Sequence, residues 1–150
     1  MLTRMDDEVL EWVERVADFL TQEYGLPPIA GRVLGWLMAC DPPEQSAARL
    51  AEAVGASRAS LTTNLRLLLD AGLVGKRLGR GERTAYYRVD DDAWQRVIRR
   101  RIATLGSFRD ITNAGIELLE RDGARAARVR SADAAFAWLA EAFAEAGEPK

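Results

Sequence analysis

The side chains able to do chemistry in this chain are hydroxyls, one amide and several cationic groups, gathered in a short stretch. Ser57, Arg58, Ser60, Thr63, Asn64 and Arg66 recur at helical spacing, and Lys76, Arg80 and Arg83 follow closely. Such groups donate and accept hydrogen bonds and carry positive charge, so they suit the gripping of phosphates and the reading of base edges rather than bond making. The means for catalysis are scarce. The chain has no histidine and one cysteine, Cys40. That excludes Ser-His-Asp and Cys-His nucleophile pairs, histidine-ligated zinc or haem, and a disulfide within one chain. No P-loop and no dinucleotide-type glycine motif is present. No catalytic residue, cofactor or metal is therefore expected, and an enzyme would need an unmarked carboxylate, tyrosine or lysine site. Cys40 closes an apolar helical stretch, which fits an inert buried thiol and also admits a redox-active one.

Charge distribution sharpens this reading. Over 150 residues, 21 Lys and Arg oppose 23 Asp and Glu, a formal net charge of −2. Residues 1–56 carry 4 basic and 10 acidic groups, residues 57–109 carry 12 and 5, and residues 110–150 carry 5 and 8. A basic middle of +7 thus lies between acidic ends, the asymmetry of a face built for a polyanion. Of the basic residues 19 are arginine, which reflects composition as much as function, so placement carries more weight than number. The first residues lack the basic-then-apolar order of a secretion signal, and no apolar run approaches the ~20 residues that span a bilayer. A cytoplasmic protein with no membrane partner is expected.

The elements that must position these groups are mostly helical. Residues 6–24 place Val9, Val13, Val16 and Leu20 on one stripe, widened by Trp12 and Phe19, and Gly25 with Pro27-Pro28 ends it. A second helix spans about residues 29–40, where Gly31 and Gly35 would let another helix approach closely. A short third helix at 46–54 has Ser46 as N-cap and Gly55 as C-cap. Ser57 then caps a fourth that runs to Asp70 or Ala71. Two helices joined by a tight glycine-containing turn outline a helix-turn-helix. Residues 73–78 and 85–89 read as strands around a basic, glycine-punctuated tip at 79–84. A long helix at 93–122 follows, roughly 40 Å if unbroken. Gly123 breaks it, a basic connector carries Arg125, Arg128 and Arg130, and Ser131 caps a last helix with Phe136, Leu139 and Phe143.

The fourth helix is the informative one. Leu61, Leu65, Leu68 and Leu69 share one side, while Ala59, Ser60, Thr63 and Arg66 face away, with Arg58 and Thr62 on the flank and Asn64 on the other shoulder. Its leucine-rich C-terminal half must be buried, which leaves the small, polar N-terminal half free to enter a major groove. Arg58 can take a guanine edge, Asn64 an adenine edge if turned outward, and Ser57, Ser60 and Thr63 bases or phosphates. An ordinary amphipathic helix with a solvated Ser/Thr face would show the same pattern. Lys76, Arg80 and Arg83, on or beside the hairpin tip, can reach a minor groove or phosphate. A helix-turn-helix followed directly by a basic hairpin is a winged helix.

Residues 41–61, with Arg49-Leu50-Ala51-Glu52-Ala53-Val54-Gly55-Ala56-Ser57-Arg58-Ala59-Ser60, resemble the corresponding run of multiple-antibiotic-resistance-regulator (MarR) type repressors, most closely the branch of glycine-betaine-synthesis regulators. Leu67-Leu68-Leu69-Asp70-Ala71-Gly72-Leu73-Val74 and Gly81-Glu82-Arg83-Thr84-Ala85-Tyr86-Tyr87-Arg88-Val89 are similar to that family's approach to the wing and to its wing. The likeness covers residues 29–92; the flanking helices agree in layout. Glu82 stands where Asp is usual and Thr84 where a second Arg is usual, departures that bear on the usual Asp–Arg pairing of the wing and on one phosphate contact. The resemblance implies a mainly α, winged-helix regulator of one domain. Residues 1–28 and 93–150 would be dimerisation helices around a reading head at 29–92, and a homodimer would bind double-stranded DNA at a palindromic operator, as a repressor.

The apolar surface of the first and long helices also exceeds what a small winged helix can cover, which points to a dimer; packing within one chain would use the same surface. Two-fold symmetry would set the recognition helices about 34 Å apart. A small-molecule effector of unknown identity would lower DNA affinity by favouring another head spacing. Trp12, Trp36, Trp94 and Trp138 suit core packing first, with an aromatic cage for a quaternary ammonium ion as the lesser alternative. Arg96, Arg99, Arg100 and Arg101 suit DNA backbone or acidic residues of a partner copy. The alternative function is a winged-helix protein-interaction module without DNA binding.

Overall fold

The computed structural model describes residues 4–147; the outermost residues of both expected arms, 1–3 and 148–150, lie outside the described residues. Six helices and three short strands follow in the order α1 (Arg4–Tyr24), α2 (Pro28–Ala39), β1 (Gln45–Ser46), α3 (Ala47–Val54), α4 (Arg58–Asp70), β2 (Gly75–Leu78), β3 (Ala85–Arg88), α5 (Ala93–Leu118) and α6 (Gly123–Ala146). The architecture is mainly helical with a small antiparallel sheet, as the sequence leads one to expect. Two compact units divide the chain, one ending at Trp94 and the other running from Gln95.

In the first unit, α1 and α2 pack tightly because α2 presents glycine. A Cβ on Gly31 would stand 2.8 Å from Ala17 Cα, and one on Gly35 would stand 3.3 Å from Val13 Cγ1. Val13, Ala17 and Leu20 of α1 are buried along this seam. Glu14 and Arg32 close its rim with a 2.6 Å ion pair. The other side of α2 meets α3 and α4. Leu34, Leu50, Leu61 and Leu68 are fully buried there, each contributing about 1.5–3 kcal/mol by leaving water.

The helix-turn-helix forms at the expected caps. Ser46 Oγ accepts from Arg49 N–H and Ser57 Oγ from Ser60 N–H. Gly55 turns the chain between α3 and α4 at φ 66°, a left-handed conformation that glycine adopts without penalty. After α4, Leu73 and Val74 are buried as a turn rather than as the start of a strand, so β2 begins two residues later than its apolar run suggests. The sheet has the order β1-β3-β2, fully antiparallel, with Lys76 opposite Tyr87 and Gln45 opposite the same Tyr87 on the other side. Strand β1 was not legible in the sequence: two residues, the second of them a helix cap, carry no alternation.

In the second unit, α6 starts at Gly123, eight residues before the expected cap at Ser131. Asp122 is the N-cap, its carboxylate accepting from Arg125 N–H at 3.1 Å. The stretch with Arg125, Arg128 and Arg130 is therefore helix and not a connector, since an aspartate cap outweighs one glycine at the first helical position. Helices α5 and α6 are pinned by a polar triad and a ring pair. Asp133 accepts from Thr112 Oγ1 at 2.6 Å and from Arg109 at 3.3 Å, and the rings of Phe108 and Phe136 lie 4.8 Å apart. The Thr112 hydroxyl, followed by the Arg109 guanidinium, holds the Asp133 carboxyl below its ordinary value. Ile98, Ile111, Leu118 and Trp138 are each more than half exposed.

Candidate nucleic-acid interface

Helix α4 divides as its sequence leads one to expect. Leu61, Leu65 and Leu68 are buried in the core, and Ser57, Arg58, Ala59, Thr62, Thr63 and Arg66 are exposed. Ser60 is half-buried. Asn64 is the correction: it is only 9% exposed, with Nδ2 donating to Ser60 O at 2.8 Å. The outward turn that adenine recognition requires is not made. At 100° per residue Asn64 lies closer to the leucine stripe than to the solvent face, and its amide finds a partner one turn back.

Hydrogen bonding also divides the hydroxyls by role. Ser57 Oγ accepts the Ser60 N–H as the helix cap, which leaves its proton free to donate to a phosphate oxygen. Thr62 and Thr63 donate their protons to Arg58 O and Ala59 O, at 2.9 and 3.3 Å. They therefore present lone pairs outward, suited to the amino groups of bases.

The wing is held from beneath by ionic contacts that sequence reasoning missed. Arg77 donates to Glu44 through Nε and Nη2, at 3.1 and 2.8 Å, lies 3.7 Å from Glu82 and stacks over the Tyr86 ring at 5.1 Å. Arg88 lies 3.9 Å from Glu44 and 3.4 Å from Asp90. The hydrogen bonds from Arg77 hold the Glu44 carboxyl below its ordinary value. At the tip, Gly81 takes φ 79° and Glu82 N–H closes the turn on Gly79 O at 2.9 Å. The Glu82 carboxylate lies over Gly79 where a side chain would otherwise stand. Glu44 and Arg77 are 33 residues apart and meet only because β1 joins the sheet. No local pattern announces that pair.

These contacts sort the basic residues into two sets. Arg77 and Arg88 are consumed by structure, whereas Arg58, Arg66, Lys76, Arg80 and Arg83 have no ion-pair partner among the described residues. All five of the latter are exposed, on α4 or on β2 and the tip beyond it. Unpaired exposed cations beside small hydroxyls are what a phosphate backbone and groove edges demand. Cys40 is half-buried, with Sγ 3.8 Å from Leu37 O and 3.7 Å from Pro43 O. Burial pushes its thiol up, away from the reactive thiolate.

Comparison with known proteins places this geometry. Residues 92–148 match the model of the MmpR5-like MarR family transcriptional regulators, so the family signature falls on α5 and α6, beyond the stretch whose motifs are legible by eye. The chain is 32% identical over 114 residues to the HTH-type transcriptional regulator MmpR5 of Mycobacterium tuberculosis, covering 76% of this chain and 68% of that protein. It is 31% identical over 97 residues to the HTH-type regulator YvaV of Bacillus subtilis, spanning 54% of that protein's length. A crystal structure of a transcriptional regulator superposes with a TM-score of 0.75 at 30% identity, covering 93% of this chain and 95% of that one. With its winged helix and its unpaired cations, the chain is a DNA-binding transcriptional regulator that belongs to the MarR family.

Proposed function

We propose that the protein acts as a homodimeric repressor on a palindromic operator, with the N-terminal half of α4 in the major groove and the wing on the minor groove and backbone. The observation that carries this reading is the set of five unpaired cations, Arg58, Arg66, Lys76, Arg80 and Arg83. Arg58 reads a base edge, Ser57, Ser60 and Thr63 contact bases or phosphate, and Arg66, Lys76, Arg80 and Arg83 grip the backbone. Asn64 supports the helix from within and does not read DNA.

Dimerisation is supported by apolar surface that one copy leaves open. On α1, Phe19 is 57% exposed and stacks edge-on with Tyr24, and on α5 and α6 Ile111 is 66% and Leu118 is 84% exposed. Residues 1–28 and 93–150 would build this interface, and residues 29–92 the reading head. Within the family, the run through Ser57-Arg58-Ala59-Ser60 favours the branch of glycine-betaine-synthesis regulators. An effector of unknown identity would release the operator by favouring a different head spacing. Binding rather than catalysis fits a chain without histidine, in which an enzyme would need a carboxylate, tyrosine or lysine site that no motif marks. No described helix is long and apolar enough to cross a membrane, and action in the cytoplasm fits a DNA partner.

A salt titration of fluorescence anisotropy on labelled duplexes, paired with sedimentation, tests this directly. The expected result is a dimer whose operator affinity falls linearly with log salt. A monomer, or the lack of salt-dependent affinity for any duplex, overturns it and favours a protein-interaction module.

A further inference from the structure

On α4, Ala59, Thr62, Thr63 and Arg66 recur at i, i+3, i+4 and i+7, a single stripe of the helix, and all four are exposed. Leu61, Leu65 and Leu68, on the other side, are buried. Ala59 offers a methyl group outward. Thr62 and Thr63 donate their hydroxyl protons to Arg58 O and Ala59 O, at 2.9 and 3.3 Å. Each therefore offers a γ-methyl and an oxygen whose lone pairs only accept. Within the stripe Arg66 alone carries side-chain N–H groups, and it stands at the far end from the helix N-terminus.

The major-groove edges of the base pairs answer such a surface unequally. Guanine shows the N7 and O6 acceptors that two donors grip together. Ala59, Thr62 and Thr63 have no proton to give them. An amino donor is present in both kinds of pair, on adenine N6 or on cytosine N4, so accepting oxygens by themselves do not choose. The C5-methyl belongs to thymine only, and apolar groups of small side chains are what meet it. We infer that Ala59, Thr62 and Thr63 are specificity-determining residues that select thymine in each half-site through its C5-methyl group. Guanine reading is left to Arg58, on the flank of the same helix. This inference rests on the entry of α4 into the major groove. Burying one methyl against another is worth about fourfold in affinity.

The probe is the duplex that the full chain enriches from a random pool, followed by fluorescence anisotropy at fixed salt. Its thymines are replaced by uracil one at a time, which removes the methyl and nothing else. At least one replacement in each half-site is expected to weaken binding about fourfold. One of Ala59→Gly, Thr62→Ser and Thr63→Ser, each deleting a single methyl, should erase that penalty. Thr62→Val and Thr63→Val keep a γ-methyl and should retain it, with melting temperatures confirming the fold of every variant. Salt-dependent binding with no enriched sequence, with no penalty from any uracil, with a penalty that all three methyl-deleting variants retain, or with one that both valine variants lose overturns the inference and leaves DNA binding standing. Absence of salt-dependent binding to any duplex overturns the entry of α4 into the groove as well.

Discussion

Thr63 and Asn64 are adjacent on α4, yet Thr63 is exposed and Asn64 is bonded inward to Ser60 O. A rotation of 100° between neighbours separates a solvent-facing residue from one that stabilises the helix. Substitution should separate them too. Asn64→Ala is expected to destabilise the fold by about 1–2 kcal/mol through the lost amide bond, with unchanged ranking of DNA sites by the remaining folded protein; denaturant melts beside anisotropy check this. Arg83→Ala should weaken binding to every duplex and flatten the slope of log K against log salt by about one unit, because one phosphate contact is lost. Arg58→Ala should instead reduce operator preference by about 1–3 kcal/mol relative to random duplex, the range for a bidentate contact to guanine. Equal losses on both duplexes would remove Arg58 from base reading.

Helices and strands add constraints that single residues do not show. The α1–α2 seam tolerates no side chain at position 31, since a Cβ there meets the backbone of Ala17. Gly31→Val should therefore cost about 1–3 kcal/mol, whereas the same change at Gly106, where a Cβ meets nothing within 4 Å, should leave the melting temperature nearly unchanged. The polar pin between α5 and α6 predicts a pH effect of defined sign. Asp133 is held below its ordinary value by Thr112 and Arg109, so its contribution is complete above the unfolded carboxylate value and is lost as pH falls through the lower folded value. The stability difference between the native chain and Asp133→Asn should be steady near neutrality and shrink below about pH 4, as read by melts across an acid series. A difference that grows on acidification would show that the pin is not ionic.

For the whole molecule, the formal charge of −2 is a poor guide to partners, because the sum conceals a basic middle and because the fold decides which of those cations stay available. The acidic flanks would temper indiscriminate sticking to nucleic acid. Assembly belongs to this scale as well. Replacing Ile111 and Leu118, both largely exposed, by glutamate should shift the proposed dimer toward monomer in sedimentation while leaving the head folded and its operator affinity greatly reduced. Retention of the dimer would place the interface elsewhere. The helices, the caps at Ser46 and Ser57, the Gly55 turn, the leucine face of α4 and the basic hairpin were set by the sequence alone, since propensity, capping and periodicity act within a few residues. The inward turn of Asn64 and strand β1 with its Glu44–Arg77 pair were decided only by tertiary structure. Each depends on groups brought together from distant parts of the chain, or on a competition between neighbouring faces that packing settles.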